Sequence, residues 1–474
     1  MESAFQFTFE VLESEHQFRV ESFKVTEALL SVFQIKLSLL SLNSNINFED
    51  AIRKPAVLRL YGQGMGVSKL FHGVVNEFRY ISQGNRFSRY QLILVPNLWF
   101  LSQRQDCRIF QHKSAPDIVA EVFDDASLTD YRFDISSTYP IKEYVLQYRE
   151  SDYAFVERLL AEHGLWYYFE HSEAGHMMVI VDSNDVIHEL DTQLSNSSTL
   201  GPLVYHSKGG GVADQEHVFE VLEVNRVATG KVTYSDYNYE HPKIPQEQAS
   251  LAEVHSDLAH FDYPGRYSEV EDGSRRVNEK LAENITEMTR LNCASNILRL
   301  ASGYRLLLSE HPRKSLNSEY ILISASHSGN DPQVYEEESS GQATTYDNQF
   351  VCIPSSMEYK APKHKSPLID GPQTAVVVGP EGEEIYTDKL GRIKVQFHWD
   401  RYAENNERSS CWVRVSQSMS ATSWGAVYLP RIGHEVVVTF LEGDPDQPMV
   451  TGAVYNLSLL HITRVAEPFE IVVI

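Results

Sequence analysis

Three carboxylates stand close together in an acidic, proline-rich stretch near the end of the sequence. Glu442, Asp444 and Asp446 separate two valine-rich runs, HEVVVTFL and PMVTGAVY. Carboxylates in such a cluster bind divalent cations or act as general acids and bases. No histidine or spaced partner accompanies them, and a glycine followed by two X-Pro dipeptides is typical of a turn. We interpret the stretch as a hairpin connection.

Other motifs that could bind a ligand or catalyse a reaction are incomplete. The glycines of residues 61–67 (YGQGMGV) imitate a phosphate-binding loop, but flanking strands favour a hairpin turn. Residues 433–437 (GHEVV) lack the second histidine of a zinc-binding H-E-x-x-H helix, and no G-x-S-x-G esterase motif occurs. Carboxylate pairs for glycoside hydrolysis depend on a spatial separation that the sequence does not give. We predict no catalytic, cofactor-binding or metal-binding residues.

Two further features have a functional and a structural interpretation. The aromatic run 165–171 (LWYYFEH) could bind sugars, but a buried core strand is favoured. Arg392, Lys394 and His398 form an outward basic row on a predicted strand. That row either meets acidic residues of a neighbouring subunit or is a solvated barrel face.

The elements that position these residues are mostly short strands. FQFTFEVL at residues 5–12 alternates apolar and polar side chains, as a half-buried strand does. Three helices interrupt the strands. The first begins at Ser114 with Asp117 in a capping box, and the second lies between the N-cap Ser151 and Gly164. The third spans residues 274–291, and residues 328–372 are interpreted as a polar connection with local strands.

Residues beyond about 371 form the clearest β region. GRIKVQFHWD alternates strictly, and TAVVVG, CWVRVS, AVYLP, HEVVVTFL and PMVTGAVY add further strands. About six short strands in such a span predict a small closed barrel, with the five-stranded OB fold as the best candidate.

Composition excludes several classes of protein. Acidic residues outnumber basic ones, 65 to 41, and the net charge of −24 disfavours nucleic acid and anionic lipid surfaces as partners. Four scattered cysteines fit free thiols in a reducing compartment. Neither a Sec signal peptide nor a membrane-spanning run is recognisable, so export would need another route.

The stretch R-I-G-x-E-V-x-V-x-F-x-x-G-D-P-D-x-P, Arg431 to Pro448, resembles the OB module of VgrG proteins, the spike proteins of type VI secretion. WVRVSQ and WGAVYLPRIG just before it strengthen the resemblance. LFHGVVNEF, ESDYAFVERLLAEHGLWYYFEH and DYPGRY resemble the family's N-terminal hub region. Together the matches cover nearly all of residues 1–456.

The resemblance implies a mainly β fold with inserted helices (α+β). Residues 1–370 would be a phage tail hub-like region with two β-barrels, and residues 371–456 an OB domain. It implies a structural, non-enzymatic spike or baseplate hub component, without cofactor, for contractile puncture. Its expected partners are two further copies in a homotrimer, the Hcp tube protein, baseplate components and tip or effector proteins, with no nucleic acid and no stable membrane insertion. It would be made in the bacterial cytoplasm and exported by the type VI machine.

The alternatives are a cell-wall-degrading or a glycan-binding tail-associated protein. Residues 457–474 (LSLLHITRVAEPFEIVVI) depart from the family pattern, in which a β-helical needle of many rungs follows. We interpret them as an atypical tail in place of that needle, which puts tip binding in doubt.

Overall fold

The computed structural model describes residues 5–62, 68–190, 201–207, 216–335, 343–422 and 424–457. Three α-helices occur among these residues: α1 (Ala115–Asp125), α2 (Asp152–Glu162) and α3 (Val270–Thr286). The strands are β1 (Gln6–Val11), β2 (Phe18–Ala28), β3 (Gln34–Ser41), β4 (Pro55–Tyr61), β5 (Lys69–Gln83), β6 (Ser88–Val95), β7 (Gln105–Phe110), β8 (Tyr131–Asp134), β9 (Val145–Ser151), β10 (Trp166–Ser172), β11 (Gly175–Val181), β12 (Leu203–Val204), β13 (Val218–Asn225), β14 (Lys231–Asp236), β15 (Gln246–Leu251), β16 (Ala259–Asp262), β17 (Thr289–Ser295), β18 (Arg305–Ser309), β19 (Glu319–Asn330), β20 (Thr345–Pro354), β21 (Gln373–Val378), β22 (Lys394–Phe397), β23 (Arg414–Val415), β24 (Ser420–Ala421), β25 (Trp424–Gly425), β26 (Glu435–Phe440) and β27 (Pro448–Val454).

The contacts divide the chain into two compact units, each assembled from three separate segments. The first unit comprises Met1–Leu101, Phe123–Thr138 and Leu159–His364. The second comprises Ser102–Val122, Tyr139–Arg158 and Lys365–Ile474. The second unit therefore includes residues that precede the expected boundary near residue 371 by more than two hundred positions. The predicted division at residue 371 remains a prediction about family modules.

A closed six-stranded barrel forms the first part of the first unit. Its strands follow the order β1-β4-β5-β6-β3-β2, and β2 returns to β1 through Thr8–Arg19 and Phe9–Phe18. The predicted alternation in β1 is observed, because Phe7, Phe9 and Val11 are buried. Strands that alternate in this way place one face in the barrel interior and the other in solvent.

A half-barrel extends from the other part of β2. Its sheet continues in the order β19-β20-β17-β13, while β18 pairs with β19 and β12 with β18. Only a single bridge, between Tyr205 and Val218, joins the two ends of this second ring among the described residues. Where two barrels are expected, the first unit therefore contains one closed barrel and one half-barrel.

The predicted connection at residues 328–372 contains a core strand. In β20, Tyr346, Asn348 and Phe350 alternate with exposed residues and point into the first unit. The prediction underrated this strand because a polar residue, Asn348, occupies an interior position. The buried side chain of Asn348 keeps its hydrogen bonds. Its Oδ1 accepts from Ser295 Oγ at 2.6 Å, and its Nδ2 donates to Ile297 O at 2.7 Å.

The three helices lie close to their predicted positions. Asp117 N donates to Ser114 Oγ at 3.4 Å, and Ala154 N donates to Ser151 Oγ at 3.1 Å, so both predicted caps form. Gly164 has the positive φ of 69° expected after a helix end. The third helix, α3, begins at Val270 and ends at Thr286, earlier at both ends than predicted. It packs on one face of the small sheet β15-β14-β16.

The second unit contains a five-stranded β sheet that curls into a small barrel, as the OB prediction requires. Its order is β22-β21-β26-β27-β23, and a bridge between Ile393 and Val413 returns β23 to β22. The predicted strand at residues 426–430 (AVYLP) is wrong, because this stretch is irregular and largely exposed, with Val427 at 74% and Tyr428 at 71%. The apolar core of the unit also includes Tyr144 and Leu146, which flank the start of β9.

Candidate functional site

Two of the three clustered carboxylates, those of Asp444 and Asp446, bind backbone amides at a turn. Glu442 and Gly443 both adopt positive φ, 53° and 73°, and reverse the chain between β26 and β27. Asp444 accepts a hydrogen bond from Asp446 N at 3.1 Å, and Asp446 Oδ1 accepts one from Leu146 N at 2.7 Å. The loop therefore fixes a strand of its own unit, which is a structural use of these side chains.

The basic row is not a solvated face, and that expectation is wrong for two of its three members. Lys394 is only 8% exposed; it donates to Ser410 O at 2.7 Å and lies 4.9 Å from the Trp412 ring centre. Arg392 is paired with Asp388 at 2.7 Å. Burial lowers the pKa of Lys394. Alternation predicted an outward side chain, but residues 400–413 cover this side of β22.

His398, the third member of the row, is exposed. Its Nε2 lies 3.0 Å from Thr374 Oγ1 and 3.8 Å from Glu435 Oε1. The row therefore does not act as one basic surface.

The aromatic run on β10 is a core strand. Trp166, Tyr167 and Tyr168 are at most 1% exposed, and the Trp166 ring meets Tyr359 edge-on at 5.3 Å. Rings buried in this way are not available as a sugar-binding platform. Residues 63–67 of the glycine-rich motif and 458–474 of the C-terminal tail lie outside the described residues.

A cluster of three histidines, His72, His171 and His176, was missed by the sequence reasoning. We call it the histidine cluster. Nδ1 of His72 lies 3.0 Å from Nδ1 of His176, and Nε2 of His176 lies 2.9 Å from Asp130 Oδ2. Nδ1 of His171 lies 3.1 Å from His72 O and 3.2 Å from His72 N. A usable signal existed, because a hairpin over FEHSEAGHMM pairs residues 171 and 176 directly.

The histidine cluster does not form a metal centre. Within the described part of the chain, no three histidine, cysteine or acidic side chains are arranged to bind a metal ion. Burial, followed by the charge of His176, lowers the pKa of His72 to about 4. Burial also keeps the pKa of His171 well below its ordinary value. His72 and His171 are thus uncharged at neutral pH.

Large apolar side chains are exposed on each unit. On the second unit they include Met419 and Trp424 of the β24–β25 hairpin, with Val427 and Tyr428 after it, and Tyr455 and Leu457 beyond β27. On the first unit, Leu251 and Phe261 project from the face of the β15-β14-β16 sheet opposite α3. Exposed apolar groups that recur along a surface mark interaction sites more often than isolated ones do.

Comparison with known proteins shows which family has this combination of modules. Residues 26–333 match the family model of the phage tail baseplate hub (GPD). Residues 374–455 match that of the type VI secretion system/phage-baseplate injector OB domain. The type VI secretion system spike protein VgrG1a of Pseudomonas aeruginosa is 35% identical over 434 residues, 91% of this chain and 66% of that protein.

The chain belongs to the VgrG family.

Other VgrG relatives are longer than the matched region. VgrG4b of Pseudomonas aeruginosa is 37% identical over 458 residues, and the match covers 55% of it. The actin cross-linking toxin VgrG1 of Vibrio cholerae is 36% identical over 428 residues, and the match covers 38% of it. The chain spans between about two fifths and two thirds of the length of these curated relatives. The mainly β, hub-like fold and the OB domain expected of a VgrG protein are confirmed.

Solved structures agree at the level of the fold. An Escherichia coli component of the type VI secretion system, described as similar to the T4 bacteriophage tail proteins gp27 and gp5, superposes with a TM-score of 0.67 at 18% identity. That match covers 94% of this chain and all of the other. The Francisella PdpA–VgrG complex gives 0.63 at 9% identity, covering 95% and 71% of the two chains. None of the helices among the described residues has the length and apolar content of a membrane-spanning segment.

Proposed function

We propose that this chain is the hub and OB portion of a type VI secretion spike, which assembles as a homotrimer on the Hcp tube. The observation that carries the proposal is the order of the two modules, a baseplate hub followed by an injector OB domain, along one chain. The work of such a protein is mechanical. It needs rigid barrels and surfaces that bind other copies, and no turnover of substrate.

The apolar side chains inside the OB barrel support the proposal that this barrel is rigid. Its barrel interior is filled by the side chains of Ala375, Val377, Ile393, Val395, Phe397, Val413, Val436, Val438, Phe440 and Val450. Interiors packed with branched apolar side chains resist deformation, because they have few voids into which a side chain can move. A part that transmits the force of sheath contraction has to meet this requirement.

The exposed aromatic residues of the second unit support self-association. Trp424 is 64% exposed and Tyr455 80% exposed, and burying such rings between subunits is strongly favourable. We assign these residues to contacts between copies. Tip or effector proteins and baseplate components are further proposed partners, consistent with a relative solved as a PdpA–VgrG complex. The fully assembled protein would leave the bacterial cytoplasm through the type VI machine.

Light scattering after size exclusion tests the assembly. We expect a mass near three times 54.0 kDa at micromolar concentration. Trp424→Ser should shift the distribution towards the monomer, whereas Ile141→Ser, at a similarly exposed apolar position, should leave it unchanged. A monomer at every concentration would contradict self-association. Co-purification with a tube protein of the Hcp class tests the second contact.

We further propose that the chain has no catalytic activity of its own. The actin cross-linking toxin VgrG1 is a longer protein, of which this chain matches only 38%. A zymogram with purified peptidoglycan, and a glycan array, address the cell-wall-degrading and glycan-binding alternatives. Clear lysis or a dose-dependent glycan signal would overturn the structural assignment.

A further inference from the structure

The histidine cluster joins three strands at one point of the first unit. His72 lies on β5, a strand of the closed barrel, while His171 and His176 are cross-strand partners on the hairpin β10–β11 that packs against β5. The ring of Phe33 meets those of His171 and His176 edge-on, at 4.8 and 5.6 Å. The imidazoles therefore form part of the packing that fixes the hairpin on the barrel.

The hydrogen bonds within the cluster limit how many protons it can hold. A bond between Nδ1 of His72 and Nδ1 of His176 requires one nitrogen with a hydrogen and one without. The first added proton would go to Nε2 of His176, where Asp130 Oδ2 lies at 2.9 Å, and it would displace the hydrogen bond that Nε2 accepts from Asn97 N at 3.0 Å. A second proton, on Nδ1 of His72, would place two N–H groups and two positive charges 3.0 Å apart.

Protonation of His171 would also be unfavourable in the packed structure. Its Nε2 is buried and has no hydrogen-bond partner among the described residues. A charge on this ring would therefore be desolvated and uncompensated. The nearby ammonium of Lys69 opposes a positive charge on His171 as well.

The charged and titratable groups around the cluster come from several elements. Within the first unit, a cavity of about 840 Å³ is lined by His171 and His176 and by Lys69 on β5, Asp130 before β8, Glu170 on β10, His188 and Arg299. Glu173, in the hairpin turn, acts on His72 from outside that lining. Asp130 compensates one positive charge on His176, and Glu173 is held by Arg59 through bonds of 2.9 and 2.7 Å. No second carboxylate contacts His72 at hydrogen-bond distance among the described residues.

We propose that the histidine cluster is an acid-sensitive contact, which releases the hairpin β10–β11 from strand β5 when a second imidazole becomes protonated. At neutral pH the cluster holds the hairpin as part of the core. In acid, the Nδ1–Nδ1 bond is lost and two like charges face each other. The Arg59–Glu173 pair persists in acid, because Arg59 lowers the pKa of Glu173, so the opening is local and limited.

The expected size of the response follows from proton linkage. The pKa of His72 is about 4 when the hairpin is packed, and it returns towards 6.5 when the ring is hydrated. The ratio of open to packed hairpin should therefore rise about 30-fold between pH 7.5 and pH 5. A histidine whose pKa is depressed in the packed state destabilises that state as the pH falls below its unfolded value of 6.5. The packed hairpin should therefore lose stability between pH 6.5 and about pH 4.

Hydrogen–deuterium exchange of the full chain at pH 7.5 and 5.0 tests the proposal, with labelling times corrected for the intrinsic pH dependence of amide exchange. Peptides from residues 164–182 should lose protection by a factor of ten or more beyond the barrel strands β3 and β6. His72→Gln, which keeps hydrogen-bonding capacity but cannot be protonated, should remove most of this excess. His398→Gln, an exposed histidine of the second unit, is the matched control and should leave it unchanged.

The wild-type protein alone can overturn the proposal, so the test does not depend on the folding of a variant. A loss of protection in the hairpin no greater than in β3 and β6 would show that acid does not act here. An undiminished response in His72→Gln would place the titrating group elsewhere. Glu173→Gln, which weakens the surface tether, should enlarge the response, and a smaller response would contradict the assigned geometry.

Discussion

The interior of the OB barrel and the interior of the first unit are built from different chemistry. The OB barrel of the second unit is filled by aliphatic and aromatic side chains, and its buried polar residues lie outside the barrel, as Lys394 and Gln396 do. In the first unit, ionisable groups lie among the core strands themselves. His327 is fully buried and contacts Tyr346 Oη at 2.7 Å and Glu27 Oε1 at 3.1 Å.

This difference in composition predicts that the stability of the two interiors depends differently on pH. The apolar OB interior contributes stability that depends little on pH below neutrality, since aliphatic side chains do not titrate and burial raises the pKa values of its Tyr144 and Cys411. Buried imidazoles and carboxylates contribute hydrogen bonds that hold only in particular protonation states. We therefore expect the OB barrel of the second unit to keep its structure over a wide range of pH, and the first unit to lose stability in acid.

The largest effect should come from placing a charge inside the OB barrel. Val438→Asp introduces an unpaired carboxylate at a fully buried position of β26, and we expect a loss of more than about 4 kcal/mol in the free energy of unfolding. Val427→Asp, at an exposed position of the same unit, should change stability little. Urea unfolding monitored by circular dichroism compares the two. Equal losses would contradict the assigned interior.

A cavity at Leu146 should lower the stability of the second unit less than the buried charge at Val438 does. Leu146→Ala removes a fully buried side chain from the OB core and should lower the free energy of unfolding by about 2 to 4 kcal/mol. Ile141→Ala, in the same segment but 70% exposed, is the control. If both variants were neutral, the segment 139–158 would not contribute to the second unit.

Acid should act on the first unit selectively. The pKa values of His72, His171 and His327 are all lowered by burial in the folded state. Such groups stabilise the fold above pH 6.5, and the stability is lost as the pH falls towards their folded pKa. For His72 we expect a loss of about 1 to 2 kcal/mol at pH 5, allowing for partial solvent screening.

Exchange protection measured separately for peptides of each unit would resolve this acid effect. A parallel loss in the OB strands β26 and β27 would remove the contrast between the two interiors.

The smallest effect concerns the acidic turn. Asp446→Ala leaves Leu146 N without its carboxylate acceptor and should cost about 1 kcal/mol. Asp446→Asn retains an acceptor oxygen and should cost less. Thermal unfolding midpoints rank the two variants, and Glu442→Gln in the same turn serves as the control. A larger loss in Asn than in Ala would argue against the hydrogen bond.

Much of the fold could be predicted because many of its signals are local. The helix caps at Ser114 and Ser151 and the alternation of Phe7, Phe9 and Val11 need only a few neighbouring residues. The valine ladders of β26 and β27 are read in the same way. The alternating pattern wrongly predicted an exposed Lys394. Alternation tells which residues share a face of the strand, but a face is buried or exposed according to the segments that pack on it, here residues 400–413.

The histidine cluster could be predicted only in part. The hairpin pairing of His171 with His176 is local, but His72 and Asp130 come from elements about a hundred and about fifty residues away. Nothing in the spacing of these residues indicates that they meet. The same holds for His327 and Glu27, which are separated by 300 positions.

The backbone amide of Leu146 and the carboxylate of Asp446 are also 300 positions apart. On the ribosome, Tyr144 and Leu146 therefore emerge long before the strands that will surround them have been synthesised. Until translation passes residue 446, the nascent chain carries this apolar stretch without its final environment, a state that favours chaperone binding or misassembly. The order of synthesis thus means that the OB core, the most locally patterned part of the sequence, closes only after the whole hub region has been made.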